Sequence, residues 1–144
     1  MLINGDCMNP ILLLVEDSED DAFFFGRTLE KSGVTCTLQH VTNGAEAIEF
    51  LQAASNSGKK ENLPQVIFLD LKMPVLNGFE VLEWMRTQTF PAPMQVVVLS
   101  GSEHEDDKDR AFRLGATDYV VKPVKVIDLH RFLQDVCPPE GARV

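Results

Sequence analysis

Three stretches of this chain are apolar without interruption: Ile11–Val15 (ILLLV), Val66–Leu69 (VIFL) and Val96–Leu99 (VVVL). Runs without alternation suit the central strands of a parallel sheet, which are buried on both faces. Thr35–Val41 alternates instead, with Cys36, Leu38 and His40 set against Thr37, Gln39 and Val41, and predicts a less buried edge strand. A fifth, short strand is predicted over Asp118–Val121. Between these runs the apolar spacing lengthens to that of a helix. Leu129, Phe132, Leu133 and Val136 recur at i, i+3, i+4 and i+7, and Val81, Leu82 and Met85 repeat the pattern in shorter form. Ser18, three residues before Asp21, is an N-cap signal, and Gly33 a stop. Asn43 with Glu46 and Ser102 with Glu105 resemble capping boxes. Gly115 closes a helix that starts near Glu103, and Pro138-Pro139 stops the last one.

Strands and helices thus alternate as five βα units. Right-handed crossovers would wind them into an α/β, doubly wound, three-layer sandwich around a parallel five-stranded sheet. The polar stretch Ala53–Pro64 reads as a long αβ loop, a tolerated surface insertion. A chain of 144 residues makes about one domain. It is expected over residues 10–137, with an extension at 1–9 and a tail at 138–144.

Composition narrows the function classes. Apolar residues are 44% and charged ones 24%, as in an ordinary globule. The net charge of −9 argues against general nucleic-acid binding, which needs a positive surface. Cys7, Cys36 and Cys137 have neither metal nor redox spacing and suggest a reducing compartment. His40, His104 and His130 are scattered and read as bland. No apolar stretch approaches membrane-spanning length, and the N-terminus lacks the features of a signal peptide. A cytoplasmic protein without membrane contact is expected.

The chemistry lies where the strands end. Glu16 and Asp17 follow ILLLV, Asp70 follows VIFL, Ser100 follows VVVL, and Lys122-Pro123 follows YVV. In an open parallel sheet, the carboxyl ends of the strands form the ligand crevice. Three carboxylates, a hydroxyl and an ammonium gathered there suit a divalent cation and a phosphoryl group. Glu16, Asp17 and Asp70 offer hard oxygen ligands for Mg²⁺. A carboxylate beside that cation can be a nucleophile and form an aspartyl phosphate. Asp70, alone at the end of the central strand, is the natural candidate. Ser100 can donate to one phosphoryl oxygen, and Lys122 can neutralise another. Pro123 would fix the turn that aims Lys122, and its peptide bond is a candidate for the cis form.

VEDSEDD, FLDLKMPVLNG, VLSGS and RAFRLGATDYVVKP together resemble the receiver domain of two-component response regulators, the CheY-like superfamily, over about Pro10 to Val136. The resemblance implies strand order 2-1-3-4-5 and a phosphorelay function. Asp70 would take a phosphoryl group from a phosphohistidine on a histidine kinase or phosphotransfer protein, and later lose it by self-dephosphorylation. Such a protein turns over no outside substrate. Glu16, Asp17 and Asp70 would bind Mg²⁺ together with the backbone carbonyl of Lys72, and Ser100 and Lys122 would hold the phosphoryl group. Tyr119 matches the family's switch aromatic, which moves inward as Ser100 engages the phosphate. The Lys72 side chain sits where the family tunes phosphoryl lifetime. Glu16 and Ser100 replace the more frequent Asp and Thr and keep charge and hydroxyl.

The loop at Ala53–Pro64 and the lack of length for an output domain resemble the stand-alone receivers that partner phytochrome-type and other hybrid kinases. Output would then pass to a downstream protein, from a monomer or weak homodimer. Phe23, Phe24 and Phe25 cannot all face inward on one helix. Phe24 and Phe25 are expected in the core with Leu29, leaving Phe23 near the surface as a docking contact. Three rivals compete. An aspartate-nucleophile phosphatase of the haloacid dehalogenase type needs a second Asp two residues after the nucleophile, where this chain has Lys72. A binding-only pseudo-receiver should lack one of the key groups, and none is missing. A flavin carrier of the same topology wants a phosphate-cradling loop after the first strand, where this chain is acidic.

Overall fold

Each apolar run is a strand in the computed structural model, which describes residues 10–101 and 104–136. Five strands, β1 (Ile11–Val15), β2 (Thr37–Val41), β3 (Val66–Asp70), β4 (Gln95–Ser100) and β5 (Asp118–Val121), form one parallel sheet in the order β2-β1-β3-β4-β5. The helices are α1 (Glu19–Ser32), α2 (Gly44–Asn56), α3 (Gly78–Arg86), α4 (Glu105–Arg113) and α5 (Val126–Leu133). Every residue of β3 is buried, whereas the edge strand β2 is half exposed, as alternation at the edge and its absence in the centre require.

The alternation of side chains sorts the core into two clusters. Leu13, Val15, Ile67, Leu69, Val96 and Val98 pack under α2, α3 and α4, against Ala47, Leu51, Val81, Leu82 and Ala111. Leu12, Leu14, Val66, Phe68, Val97, Leu99 and Val120 pack under α1 and α5, against Phe25, Leu29, Leu129, Phe132 and Leu133. No helix among the described residues is long and apolar enough to cross a membrane.

Several local expectations need correction. Ala53–Pro64 is not an unstructured insertion. Helix α2 runs on to Asn56 because Ala54 extends the buried stripe of Ala47 and Leu51, and a short 3₁₀ turn occupies Lys60–Asn62. Leu63, just beyond, is 3% exposed and plugs the core. Phe24 is not in the core: it is 56% exposed, because the face of α1 that meets the sheet is the one carrying Phe25, Thr28 and Leu29. The Phe25 ring lies 4.9 Å from that of Phe68.

Capping follows the expected logic with changed partners. Ser18 Oγ accepts from the Asp21 N–H at 3.2 Å, and Gly33 ends α1 with φ of 75°. Asn43 accepts from the Glu46 N–H, but Glu46 Oε1 accepts from the amide and hydroxyl of Thr42, so that box is half made. A complete box forms at Asn77 and Glu80. Helix α4 begins at Glu105, and no side chain of His104 caps it. Ser102, residues 1–9, Cys137 and the tail at 138–144 lie outside the described residues.

Candidate functional site

The carboxyl ends of β1, β3, β4 and β5 meet along one edge, and the alternation rule says which side chains meet there. Glu16 keeps the parity of Leu12 and Leu14, Asp70 that of Val66 and Phe68, and Lys122 that of Val120. All of these apolar residues face α1 and α5. Ser100 keeps the parity of Val96 and Val98, which face α2, α3 and α4 with Tyr119.

Asp70 ends β3 and is 6% exposed. Its Oδ1 accepts from the Lys72 N–H at 3.3 Å. Burial, then the charge of Glu16, push its carboxyl up to about 7, against the opposing pull of Lys122. Glu16 is 2% exposed, and its Oε2 accepts from the Ser18 N–H at 3.2 Å. Asp17, next in the chain, is exposed. Carboxylate oxygens of Glu16, Asp17 and Asp70 lie within 4.8 Å of one another. Three clustered carboxylates, two of them buried, are costly to hold charged without a cation, and oxygen donors so grouped fit Mg²⁺ or Mn²⁺.

Lys122 Nζ reaches three carboxylates: Glu16 at 2.7 Å, Asp21 at 3.0 Å and Asp70 at 3.5 Å. Burial draws its pKa down. Its bonds to Glu16 and Asp21 and the charge of Asp70 more than offset this and hold it above the usual lysine value. The Lys122-Pro123 peptide is cis, and the Lys122 N–H donates to the Ser100 carbonyl at 2.7 Å. That hydrogen bond ties the β5 turn to the end of β4. Ser100 is 2% exposed. The N-terminus of α3 also presses on the site: a Cβ at Gly78 would stand 2.5 Å from the Asp70 carbonyl oxygen, so only glycine permits this approach.

Two further expected members, Tyr119 and Phe23, come from β5 and α1. Tyr119 is buried at 7% exposure, with the Lys108 ammonium 5.9 Å from its ring centroid. Phe23 lies on α1, 67% exposed, with the Arg27 guanidinium 5.9 Å from its ring. The Lys72 side chain is exposed. Two contacts at the site were not anticipated. Asp21, which the sequence marks only as the residue three after the Ser18 cap, accepts from Lys122 Nζ at 3.0 Å. His40, read as bland, donates from Nε2 to the Glu16 carbonyl at 2.8 Å and pins the acidic turn to β2. Parity was the available signal for Asp21, because Lys122 belongs to the face that α1 covers.

A sequence model of the response regulator receiver domain matches residues 12–134. The chain belongs to this family. Among its relatives, the response regulator Rcp1 of Synechocystis is 33% identical over 92% of this chain and 90% of its own length. The Mn²⁺-bound crystal structure of Rcp1 superposes with a TM-score of 0.68, covering 88% of this chain and 91% of that one at 32% identity. The probable methanogenesis regulatory protein FilR2 of Methanothrix harundinacea is 32% identical over 94% of this chain and 88% of its own. A phosphorylated cyanobacterial phytochrome response regulator, RcpA, has a TM-score of 0.71 at 28% identity, covering 89% of this chain and 91% of that one. The chain is thus a response regulator of phosphorelay signalling with the CheY-like fold, and the haloacid dehalogenase and pseudo-receiver alternatives are not favoured. Receiver domains are signalling domains that bind Mg²⁺ or Mn²⁺ at an acidic pocket and interact with histidine kinases or phosphotransfer proteins.

Proposed function

We propose that Asp70 is the phosphoacceptor of this response regulator. A carboxylate oxygen of Asp70 attacks the phosphorus of a phosphohistidine on a histidine kinase or phosphotransfer protein. The P–N bond breaks, its electron pair returns to the imidazole, and an aspartyl phosphate forms. Glu16, Asp17, Asp70 and the backbone carbonyl of Lys72 would hold Mg²⁺, which when bound offsets the negative charge that gathers on the phosphoryl oxygens. Lys122 balances further charge on those oxygens, and Ser100 donates a hydrogen bond to one of them. Hydrolysis of the acyl phosphate, by water in line with Asp70, resets the protein. Ser100 and Tyr119 form the switch, passing the modified state to the α4–β5 surface. Phe23 on α1, with exposed Phe24 beside it, serves as a docking contact for the phosphodonor. A monomer or weak homodimer would pass the signal on to a downstream protein.

The observation that carries this reading is the clustering of Asp70 with Glu16 and Asp17, with Lys122 at 3.5 Å. The test is labelling with acetyl phosphate or a phosphorylated kinase in Mg²⁺. The wild type should take up one phosphoryl group, and Asp70→Asn none, with the same circular dichroism spectrum. Full labelling of Asp70→Asn would place the acceptor elsewhere.

A further inference from the structure

Lys122 has more acceptors than its proposed task needs. An ammonium carries three donors, and here its carboxylate neighbours are Glu16, Asp21 and Asp70. Glu16 and Asp70 belong to the acidic group within 4.8 Å that would take up a cation, whereas Asp21 stands outside it. Asp21 comes from the first turn of α1, where Ser18 Oγ accepts from its backbone N–H, so its carboxylate is held over Lys122 by the helix cap. Its side chain is 49% exposed, while that of Lys122 is 20% exposed. The two residues also line one cavity of about 280 Å³ with Phe24, Phe25 and Pro123, on the α1 side of the ammonium.

We propose that Asp21 is a positioning residue that competes with the phosphoryl group for Lys122. The inference rests on the reading of Asp70 as the acceptor. Once a cation engages Glu16 and Asp70, Asp21 is the anion left to retain Lys122. The ammonium must then leave Asp21, or divide its donors, to reach a phosphoryl oxygen on Asp70. Asp21 thereby raises the free energy of the phosphorylated arrangement relative to the resting one. It is a restoring spring supplied by the same helix that presents Phe23 and Phe24. A helix-start acid of purely local value would not act through Lys122.

Beryllofluoride, a non-covalent phosphoryl mimic, is the probe, with its affinity measured by ¹⁹F NMR in excess Mg²⁺ on the full chain. Asp21→Asn should bind it roughly threefold to fivefold more tightly than wild type, the range for loss of a partly exposed charge pair. Asp21→Glu, which keeps the anion, should return toward wild-type affinity. Removing a negative charge also helps any anion bind, so the deciding measurement is the double-mutant cycle with Lys122→Ala. Competition for Lys122 requires the Asp21→Asn gain to vanish in the Lys122→Ala background. A gain of equal size in both backgrounds would reduce Asp21 to a long-range field effect and overturn the proposal. So would an Asp21→Asn affinity equal to wild type. If the wild type neither binds beryllofluoride nor is labelled by acetyl phosphate, the assignment of Asp70 itself falls, and this inference with it.

Discussion

Val75 sits in the loop between Asp70 and α3 with φ of +68°, in the left-handed region that β-branched residues avoid. The Leu76 N–H donates to the Pro74 carbonyl at 2.7 Å, so Val75 is the centre of a γ-turn with positive φ, a rare and strained form. Its side chain is 78% exposed, and little packing compensates for the strain. Val75→Gly should therefore stabilise the protein. Relief of the left-handed penalty gives about 1–2 kcal/mol. The extra freedom of glycine in the unfolded chain takes back about 0.5–1 kcal/mol. Taken at the middle of both ranges, the net gain is about 0.75 kcal/mol. An unfolding entropy of about 2.1 cal/mol/K per residue, over 144 residues, makes that a rise of about 2–3 °C in Tm. Urea unfolding followed by circular dichroism should show a higher midpoint at unchanged slope. Chelator must be present throughout, because a cation bound only to the folded state would raise the midpoint by mass action. Val75→Asn, which tolerates positive φ with less entropy loss, should match or exceed the glycine variant. A lower midpoint for both variants would refute the strain argument and show that the Val75 methyl groups contribute more than their exposure implies.

Two further outcomes follow from the site. Replacing Glu16 by Gln and Asp17 by Asn together should weaken Mg²⁺ binding at least tenfold, because a hard cation loses two of its three carboxylate ligands; NMR titration with an affinity equal to wild type would exclude these residues as ligands. Lys72→Ala should speed loss of phosphate from labelled protein several-fold, about 1 kcal/mol in barrier. Its exposed ammonium would otherwise shield the water's approach, while its amide stays on Asp70 Oδ1. A slower loss would mean that the ammonium stabilises the transition state instead.

The central strands and their terminal residues are legible because burial on both faces leaves an uninterrupted apolar run, and the polar residue that ends each run marks the crevice. What is not legible depends on tertiary partners. Three consecutive phenylalanines leave the buried face of α1 open. The position of Phe68 on β3 decides it for Phe25 and against Phe24. The last turn of α2 is hidden in the sequence AASN, where only Ala54 continues the stripe. His40 reaches the Glu16 carbonyl because β2 pairs with β1, an adjacency that the composition of either strand does not announce. Asp21 lies in an acidic run that resembles a solvated helix start, and its backbone N–H does donate to the Ser18 cap of α1. Its second role appears only once Lys122 arrives from a strand 101 positions away. Nothing in KMPVLNG signals the positive φ of Val75, since the turn is imposed by closure between β3 and α3.

The two faces of the sheet divide the site in a way that bears on signalling. Glu16, Asp70 and Lys122 continue the rows that face α1 and α5, and Asp21 joins them from α1. Ser100 continues the row that faces α2, α3 and α4, where Tyr119 is buried. Under the proposed roles, charge balance at Asp70 is handled on the side where a phosphodonor would dock, and response on the other. A phosphoryl group touching both Lys122 and Ser100 would bridge the faces at the strand ends and need not disturb the packed core between them. The Lys122 N–H already bonds the Ser100 carbonyl at 2.7 Å, so the bridge has a rigid backbone base. With that base fixed, side chains must supply the two alternative arrangements that a switch requires. The Lys122 ammonium, shared among three carboxylates, is placed to supply one of them.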